Sequence, residues 1–574
     1  MSYNEETIHE IRSRGSYSLS RSKTNQSELS KIISGIKDDQ QLDEENKNYV
    51  GTGESEFILA EELNKFTSRG NISKQQSQVD LEQSSVEEKV IDDDKNLDKG
   101  FAWVIAICSM LAMISTWGAN SSYGVLLSYF MNENVFPEAT KYDYALVGSI
   151  VVFLANFLSP ISTIAYKIFG FKAVAFFGLC FQCLGWFGAS GATKIWQLYL
   201  SEGVAVGISF SFIFIPATLV LPTWFHRRKA ASFGICISGA GLGGLIFSLA
   251  INKVIEEDTH NQAMRMVGYV TLFCVLIVIL VMNPRNYNPP PLKERLSRTF
   301  IMESCKAIFD TSVLKNWGII IIAIWFSIAL MGYTLMIFSL SAYGSSIGLN
   351  HSQSTNLIAA LSAAQVVGRI GMGFTADFMG RCNATSMFCL INFILLFAYW
   401  INARTYGSVL GFAVLIGLVI GIGSTMAQPL AADALQEKFY QLPSAWAWIN
   451  VTVSFFCLVA ECIALALVRS NSNRPYLHTQ IFAGCCFFAS FILMLLLREF
   501  LVRKLLQKRL ASSLERLNYI RNGEATKSGY LKERDEEISE EEEDLLENRI
   551  DRYDTLLSSS LSSFFFRIGY PVKL

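Results

Sequence analysis

Glu202, Arg369, Asp377, Asp433 and Glu461 stand inside long apolar runs. A charge at the centre of a membrane helix costs about 2.5–3.5 kcal/mol, so each of these residues marks a functional site by default. Arg369 is the sharpest, because the stretch Leu361–Ala376 holds no other charge. An Arg cannot discard its proton. It must meet water, a carboxylate from another helix, or an anionic substrate that its planar fork holds through two hydrogen bonds. Gln365, one helical turn earlier, shares its face. Glu461 is the obvious carboxylate partner for Arg369, and also a candidate proton carrier, since a carboxyl in hydrocarbon can take up and return a proton. The helical rise places Arg369 about 21 Å below the outer surface, against about 10 Å for Glu461, which weighs against their pairing. Glu202, about 9 Å below that surface, reads as a vestibule residue.

The elements that position these residues follow from composition. Of 574 residues, 51% are hydrophobic and only 17% charged, well below the roughly 25% charged residues of soluble domains. The charge is also concentrated at the ends: residues 1–98 hold roughly 12 Lys/Arg against 21 Asp/Glu, and 503–574 roughly 13 against 14. An apolar middle between polar tails excludes a secreted enzyme, a nucleic-acid binder and a soluble multidomain protein. What remains is an all-α integral membrane protein. The first apolar run begins only at Phe101, so that helix is expected to act as an internal signal anchor.

A span needs about 20 apolar residues. Twelve such runs are expected, six at 101–127, 143–165, 172–192, 196–222, 230–252 and 265–283, and six at 316–342, 355–378, 384–402, 408–431, 444–468 and 479–502. Lys and Arg concentrate in alternate loops and around Arg503-Lys504 and Lys508-Arg509, which places both termini in the cytoplasm. The expected organisation is a cytoplasmic tail at 1–98, rich in Ser, Gln, Asn and Glu and disordered by composition, then a six-helix half at 99–283. A Pro-containing linker at 284–315, a second half at 316–502 and a cytoplasmic tail at 503–574 follow. Two six-helix halves around a basic linker is the layout of the major facilitator fold. In the tails, Arg12-Ser-Arg14-Gly-Ser16 suits kinases that favour basic residues. Between Arg498 and Arg516, apolar and basic residues alternate at helical spacing, which fits either an inner-leaflet helix or an extension of the last span.

Motifs narrow the reading. Gly373-Phe-Thr-Ala-Asp377-Phe-Met-Gly380-Arg381 closes the eighth run and resembles the gate signature of the major facilitator superfamily. There the Asp can face a helix N-terminus while Gly permits a tight turn. Trp224-Phe-His-Arg227-Arg228-Lys-Ala-Ala-Ser-Phe-Gly234 and the degenerate Asp98-Lys-Gly100-Phe-Ala-Trp103 resemble the two signatures of the monocarboxylate transporter family. Thr116–Val125 and Phe136–Tyr144 look like its fungal branch. The resemblance implies Asp377, Gly380, Arg381, Arg227 and Arg228 as gating residues. It implies Arg369 as the conserved-type Arg of the eighth span, but Gln365 stands where animal members carry a proton-coupling Asp, and Ser121 where they carry a substrate-attracting Lys. Asn120, Tyr123, Trp325, Tyr333, Gln428 and Asn450 complete the candidate cavity, with Glu461 as the candidate proton carrier.

The expected function is therefore secondary transport of a small organic anion, a monocarboxylate by resemblance, through alternating access and with proton symport as an option. The alternatives are an uncoupled facilitator of riboflavin or another larger solute, and a transporter-like nutrient receptor. No enzyme is expected, since the sequence offers no nucleophile–base pair, metal cluster or cofactor loop. The expected partners are the solute, membrane lipids, protons and kinases acting on the first tail. The plasma membrane is the expected location, with the vacuolar membrane as the alternative.

Overall fold

The computed structural model describes residues 98–133, 135–285, 291–469, 474–521, 532–570 and 572, all helix, turn or loop, with no strand among them. Six apolar helices come first: α1 Phe101–Leu127, α2 Tyr142–Phe157 continued by Ser159–Phe169, α3 Phe171–Ala189, α4 Ile195–Trp224, α5 Lys229–Glu257 and α6 His260–Val281. A second series follows: α7 Trp317–Ser346, α8 His351–Met379, α9 Arg381–Asn402, α10 Tyr406–Leu435, α11 Leu442–Ala466 and α12 Leu477–Arg521. Eleven pass the test of length and apolarity for a membrane span, or twelve when the two arms of α2 count as one. The arms of α2 meet at 48°, where Pro160 follows the bend, because a proline ring removes a backbone donor and crowds the preceding turn.

Polar caps fix where several helices begin. Asn350 accepts the Gln353 N–H at 2.7 Å while the Gln353 side chain accepts the Asn350 N–H at 3.2 Å, a reciprocal box that starts α8. Asn316 caps α7 by accepting the Gly318 N–H at 3.0 Å. Between the two series the short helix Arg298–Ile308 interrupts the polar stretch. Arg295 donates to the Ile168 carbonyl at 2.9 Å and Ser444 to the Ile308 carbonyl at 2.8 Å, so the connecting segment is tied to both series.

Glycine permits the closest helix contacts. Gly239 and Gly243, one turn apart on α5, face α1: a Cβ at Gly239 would stand 2.3 Å from the Met110 carbonyl, and one at Gly243 2.7 Å from Gly118 Cα. On another face of α5, a Cβ at Gly234 would stand 2.6 Å from the Arg369 carbonyl, and one at Gly373 of α8 2.5 Å from the Ala230 carbonyl. No side chain fits at these positions without moving a backbone. The Gly-rich run of α5 thus presses against α1 with one face and against α8 with the other.

Residues from Arg498 onward belong to a second compact unit. Its helices are the end of α12, α13 Lys532–Leu557 and α14 Leu561–Gly569. Leu506, Leu510, Leu514 and Leu517 of α12 bury against Leu546, Ile550, Tyr553 and Leu556 of α13. Of the two readings of the 498–516 stretch, the helix extension is therefore the one observed, and its apolar stripe is covered by the chain itself. Arg567 donates to Glu499 at 2.7 Å and to the Ser558 carbonyl at 3.2 Å, clamping α14 within this unit.

Candidate functional site

One end of the bundle gathers the residues of the gate motif. Asp377, at the end of α8, accepts backbone N–H groups of Ala230 at 3.3 Å and Ala231 at 2.8 Å. These belong to the first turn of α5, whose unsatisfied amides and partial positive charge favour a carboxylate. Gly380, at φ 96, turns the chain from α8 into α9, a conformation that favours glycine. Arg381 then reaches back. Its Nε donates to Asp377 at 3.0 Å, its Nη1 to Asp433 of α10 at 2.5 Å, and its Nη2 to the Arg227 carbonyl at 3.4 Å.

The same loop is gripped from the start of α1. Asp98 accepts the N–H groups of His226, Arg227 and Arg228 at 3.2, 2.9 and 3.2 Å, and the Arg228 guanidinium lies 5.8 Å from the Trp103 ring centroid. Partial desolvation, and next the neighbouring Lys229 ammonium, push the His226 imidazole below its usual range. Further bonds join the two helix series toward this end: Gln428 donates to the Thr218 carbonyl at 3.0 Å, and the Trp446 indole to the Thr218 hydroxyl at 3.2 Å. All five residues expected to gate are thus brought together. Asp433 and Asp98, to which the sequence reading gave no part in the gate, complete the cluster.

Deeper along α8, Arg369 is 3% exposed. Its Nη1 donates to the Ile237 carbonyl of α5 at 2.8 Å and its Nη2 to the Tyr333 hydroxyl of α7 at 3.0 Å. Tyr333 donates in turn to Gln365 at 3.2 Å, so the two α8 residues one turn apart share a tyrosine. The Arg369 Nε is buried without a hydrogen-bond partner. The backbone of α10 closes over it, for a Cβ at Gly421 would stand 2.7 Å from that nitrogen. The guanidinium's partners are thus a carbonyl and a phenol, both neutral. Glu461 lies on α11, and its side chain is outside the described residues.

The other candidates are more dispersed. Asn120 and Tyr123 of α1 line a small cavity with Trp186 and Glu202, and Tyr123 donates to the Tyr144 carbonyl at 3.0 Å. Ser121 is exposed and donates to the Trp117 carbonyl of its own helix at 2.8 Å. Asn450 donates to the Trp446 carbonyl one turn away at 2.7 Å. Trp325 is fully buried. Glu202, read from its depth as a vestibule residue, is instead 2% exposed. It sits in a π-helical turn, Tyr199–Ala205, that rotates α4 out of the simple helical register.

Comparison with known proteins places this architecture. Residues 105–461 match the family described as Major Facilitator Superfamily. The uncharacterized transporter ESBP6 of Saccharomyces cerevisiae is 38% identical over 479 residues, covering 83% of this chain and 69% of that protein. The probable transporter MCH2 of the same yeast is 28% identical over 409 residues, 71% of this chain and 84% of that one. The Fujikurins efflux protein of Gibberella fujikuroi is 25% identical over 388 residues, 67% and 79% of the two chains. Among solved structures, the E. coli fucose:proton symporter FucP superposes with a TM-score of 0.50 at 14% identity, over 69% of this chain and 98% of that one. That likeness is one of fold.

Proposed function

This chain belongs to the major facilitator superfamily, a multi-pass membrane transporter of a small-molecule solute, and from that premise we propose that its solute is a small organic anion of the monocarboxylate class. The observation that carries the reading is Arg369, a permanent cation buried in the bundle with neutral partners and one orphaned N–H. Removing a guanidinium from water without a counter-ion costs several kcal/mol, and a carboxylate that docks on it recovers that cost through paired, charge-assisted bonds. Tyr333 and Gln365 supply further polar atoms for the same solute. The monocarboxylate signatures at Asp98–Trp103 and Trp224–Gly234 support the class.

The gate residues support an alternating-access cycle. Asp377 and Arg381 hold α5 and α8 together at the end that the basic loops assign to the cytoplasm, so the conformation reads as closed inside. Reopening that end must break the Asp377 caps on α5, the Arg381 bond to the Arg227 carbonyl and the Thr218 bonds. Release of Arg369 from the Ile237 carbonyl, on the same helix pair, would then coincide with inward opening. Solute binding and gate opening would thereby act on one interface.

A second reading is favoured by relatives whose names record efflux, the Fujikurins efflux protein among them. On that reading the chain exports its solute. Uptake and efflux of labelled pyruvate, measured with purified protein in liposomes, tests the first reading. Saturable pyruvate flux that Arg369→Ala abolishes supports it, and flux unchanged in that variant rejects it.

A further inference from the structure

We propose that Glu202 is the group that binds and releases the coupling proton, a role that rests on the symport option of the function just stated. The observations are independent of Arg369. Glu202 is 2% exposed, and its Oε2 has no hydrogen-bond partner. It borders a water-sized cavity together with Asn120, Tyr123 and Trp186, and the Trp186 indole N–H is likewise buried without a partner. The surrounding polarity is deliberate: one turn from Trp186, Gln182 donates to the Ser115 carbonyl at 2.6 Å, inside the π-helical turn Ile114–Gly118 of α1. Such turns expose backbone groups that regular helix would satisfy, and they recur at functional positions.

The charge environment selects the ligand. From α2 the cavity is lined by the apolar Val147, Gly148 and Val151, and the acid of its first turn, Asp143, is engaged by the Tyr199 hydroxyl at 3.0 Å, three residues before Glu202. From α1 comes Tyr123, whose hydroxyl is engaged by the Tyr144 carbonyl. The neighbouring turns of α3 contribute Gln182 and Trp186, neutral groups, and the stretch of α4 from Val206 to Trp224 has no ionisable side chain. No Lys, Arg or His of the described residues forms an ion pair with Glu202. A lone carboxylate in this position has two ways to avoid an unpaired charge: hold a proton or hold a cation. Ca²⁺ or Mg²⁺ takes six or more oxygen ligands and Zn²⁺ a cluster of His, Cys or carboxylate groups, and no such cluster occurs among the described residues; an ammonium-bearing solute exceeds a water-sized cavity. A proton alone fits. The step is a simple transfer, in which a hydronium in the cavity gives its proton to the carboxylate and leaves water. Asn120 and Trp186, which line the same cavity, carry the groups such an exchange needs: an amide able to accept from the acid form or donate to the base form, and an indole able to donate to the base form.

The test uses full-length protein in liposomes, with labelled pyruvate as the probe. An inward acid gradient of about one pH unit should drive about tenfold accumulation in the wild type. Glu202→Gln should lose that accumulation and only equilibrate, while pyruvate counterflow at equal pH stays within about twofold of wild type. Glu202→Asp, which keeps the carboxyl, should retain accumulation with a displaced pH dependence. Unchanged accumulation in Glu202→Gln overturns the proposal, as does loss of counterflow in both variants, which would mark a structural residue. A substrate-free measurement separates this proposal from the choice of solute. In infrared difference spectra across pH, the wild type should show a protonated-carboxyl band that Glu202→Gln lacks. With no pyruvate flux, that band still supports Glu202 and rejects only the monocarboxylate reading; its absence rejects Glu202.

Discussion

The gate and the mid-bundle treat charge in opposite ways. At the gate, Asp377, Arg381 and Asp433 form a chain of bonds between 2.5 and 3.3 Å, and Asp98 is saturated by three backbone amides. In mid-bundle, Arg369 and Glu202 are almost completely buried, on different helix series, and neither forms an ion pair with a described residue. Buried charge is stable when its hydrogen bonds are complete and expensive when they are not. The gate cluster is self-sufficient in its bonding, as the proposed role of holding and releasing two helices requires. The two buried groups lack an ion-pair partner among the described residues, and on the proposed reading an anion completes Arg369 and a proton completes Glu202.

The largest expected effect breaks the incomplete side. Arg369→Ala should lower pyruvate uptake by about 100-fold or more, while size-exclusion and thermal unfolding show a folded protein, because the bonds lost inside the protein are to neutral groups and the charge-assisted bonds are to solute. Arg369→Lys should recover only part of the flux, since a point charge does not reproduce the fork. On the complete side, Asp377→Ala leaves Arg381 short of one partner and uncaps α5. It should weaken closure of that end by about 3 kcal/mol, read as a broadened spin-label distance between the gate ends of α5 and α8. Gly373→Val attacks the same interface sterically and should cost about 1–3 kcal/mol of closure in the same distance measurement.

The smallest effect concerns pH at the gate. The His226 imidazole is held below its usual range, so the folded gate favours the neutral ring. Its contribution is complete above the ordinary His range and is lost as the pH falls below it. His226→Asn should remove the acid-side part of the decline in thermal stability. An unaltered pH profile in that variant would show that the ring plays no part.

These regions also differ in how far the sequence disclosed them. The apolar runs were legible because a span must be long and uncharged, and α1 through α11 begin and end within a few residues of expectation. The α8–α9 corner was legible through Asp377, Gly380 and Arg381, whose motif predicts an acid facing a helix N-terminus and a tight turn at Gly, as observed. Its partners were not, because Asp433 lies 52 residues from Arg381, and Asp98 lies 129 residues from Arg227. Chain spacing carries no information on contacts of that kind. The place of Glu202 on α4 was readable, but its burial was not, because a π-helical turn changes which face the side chain occupies. The far end of α12 was readable as helical, but its cover was not: the apolar residues of α13 are set among acidic ones, as in Leu545-Leu546-Glu547, which hides their periodicity.

The role of Arg369 in anion transport is decided by the initial uptake of labelled pyruvate, lactate and riboflavin by wild-type and Arg369→Ala protein in liposomes, with and without an inward acid gradient. The wild type should take up monocarboxylate saturably, driven by the gradient, the variant should not, and neither should admit riboflavin. Riboflavin entry independent of the gradient, or monocarboxylate uptake equal in both proteins, would contradict that role.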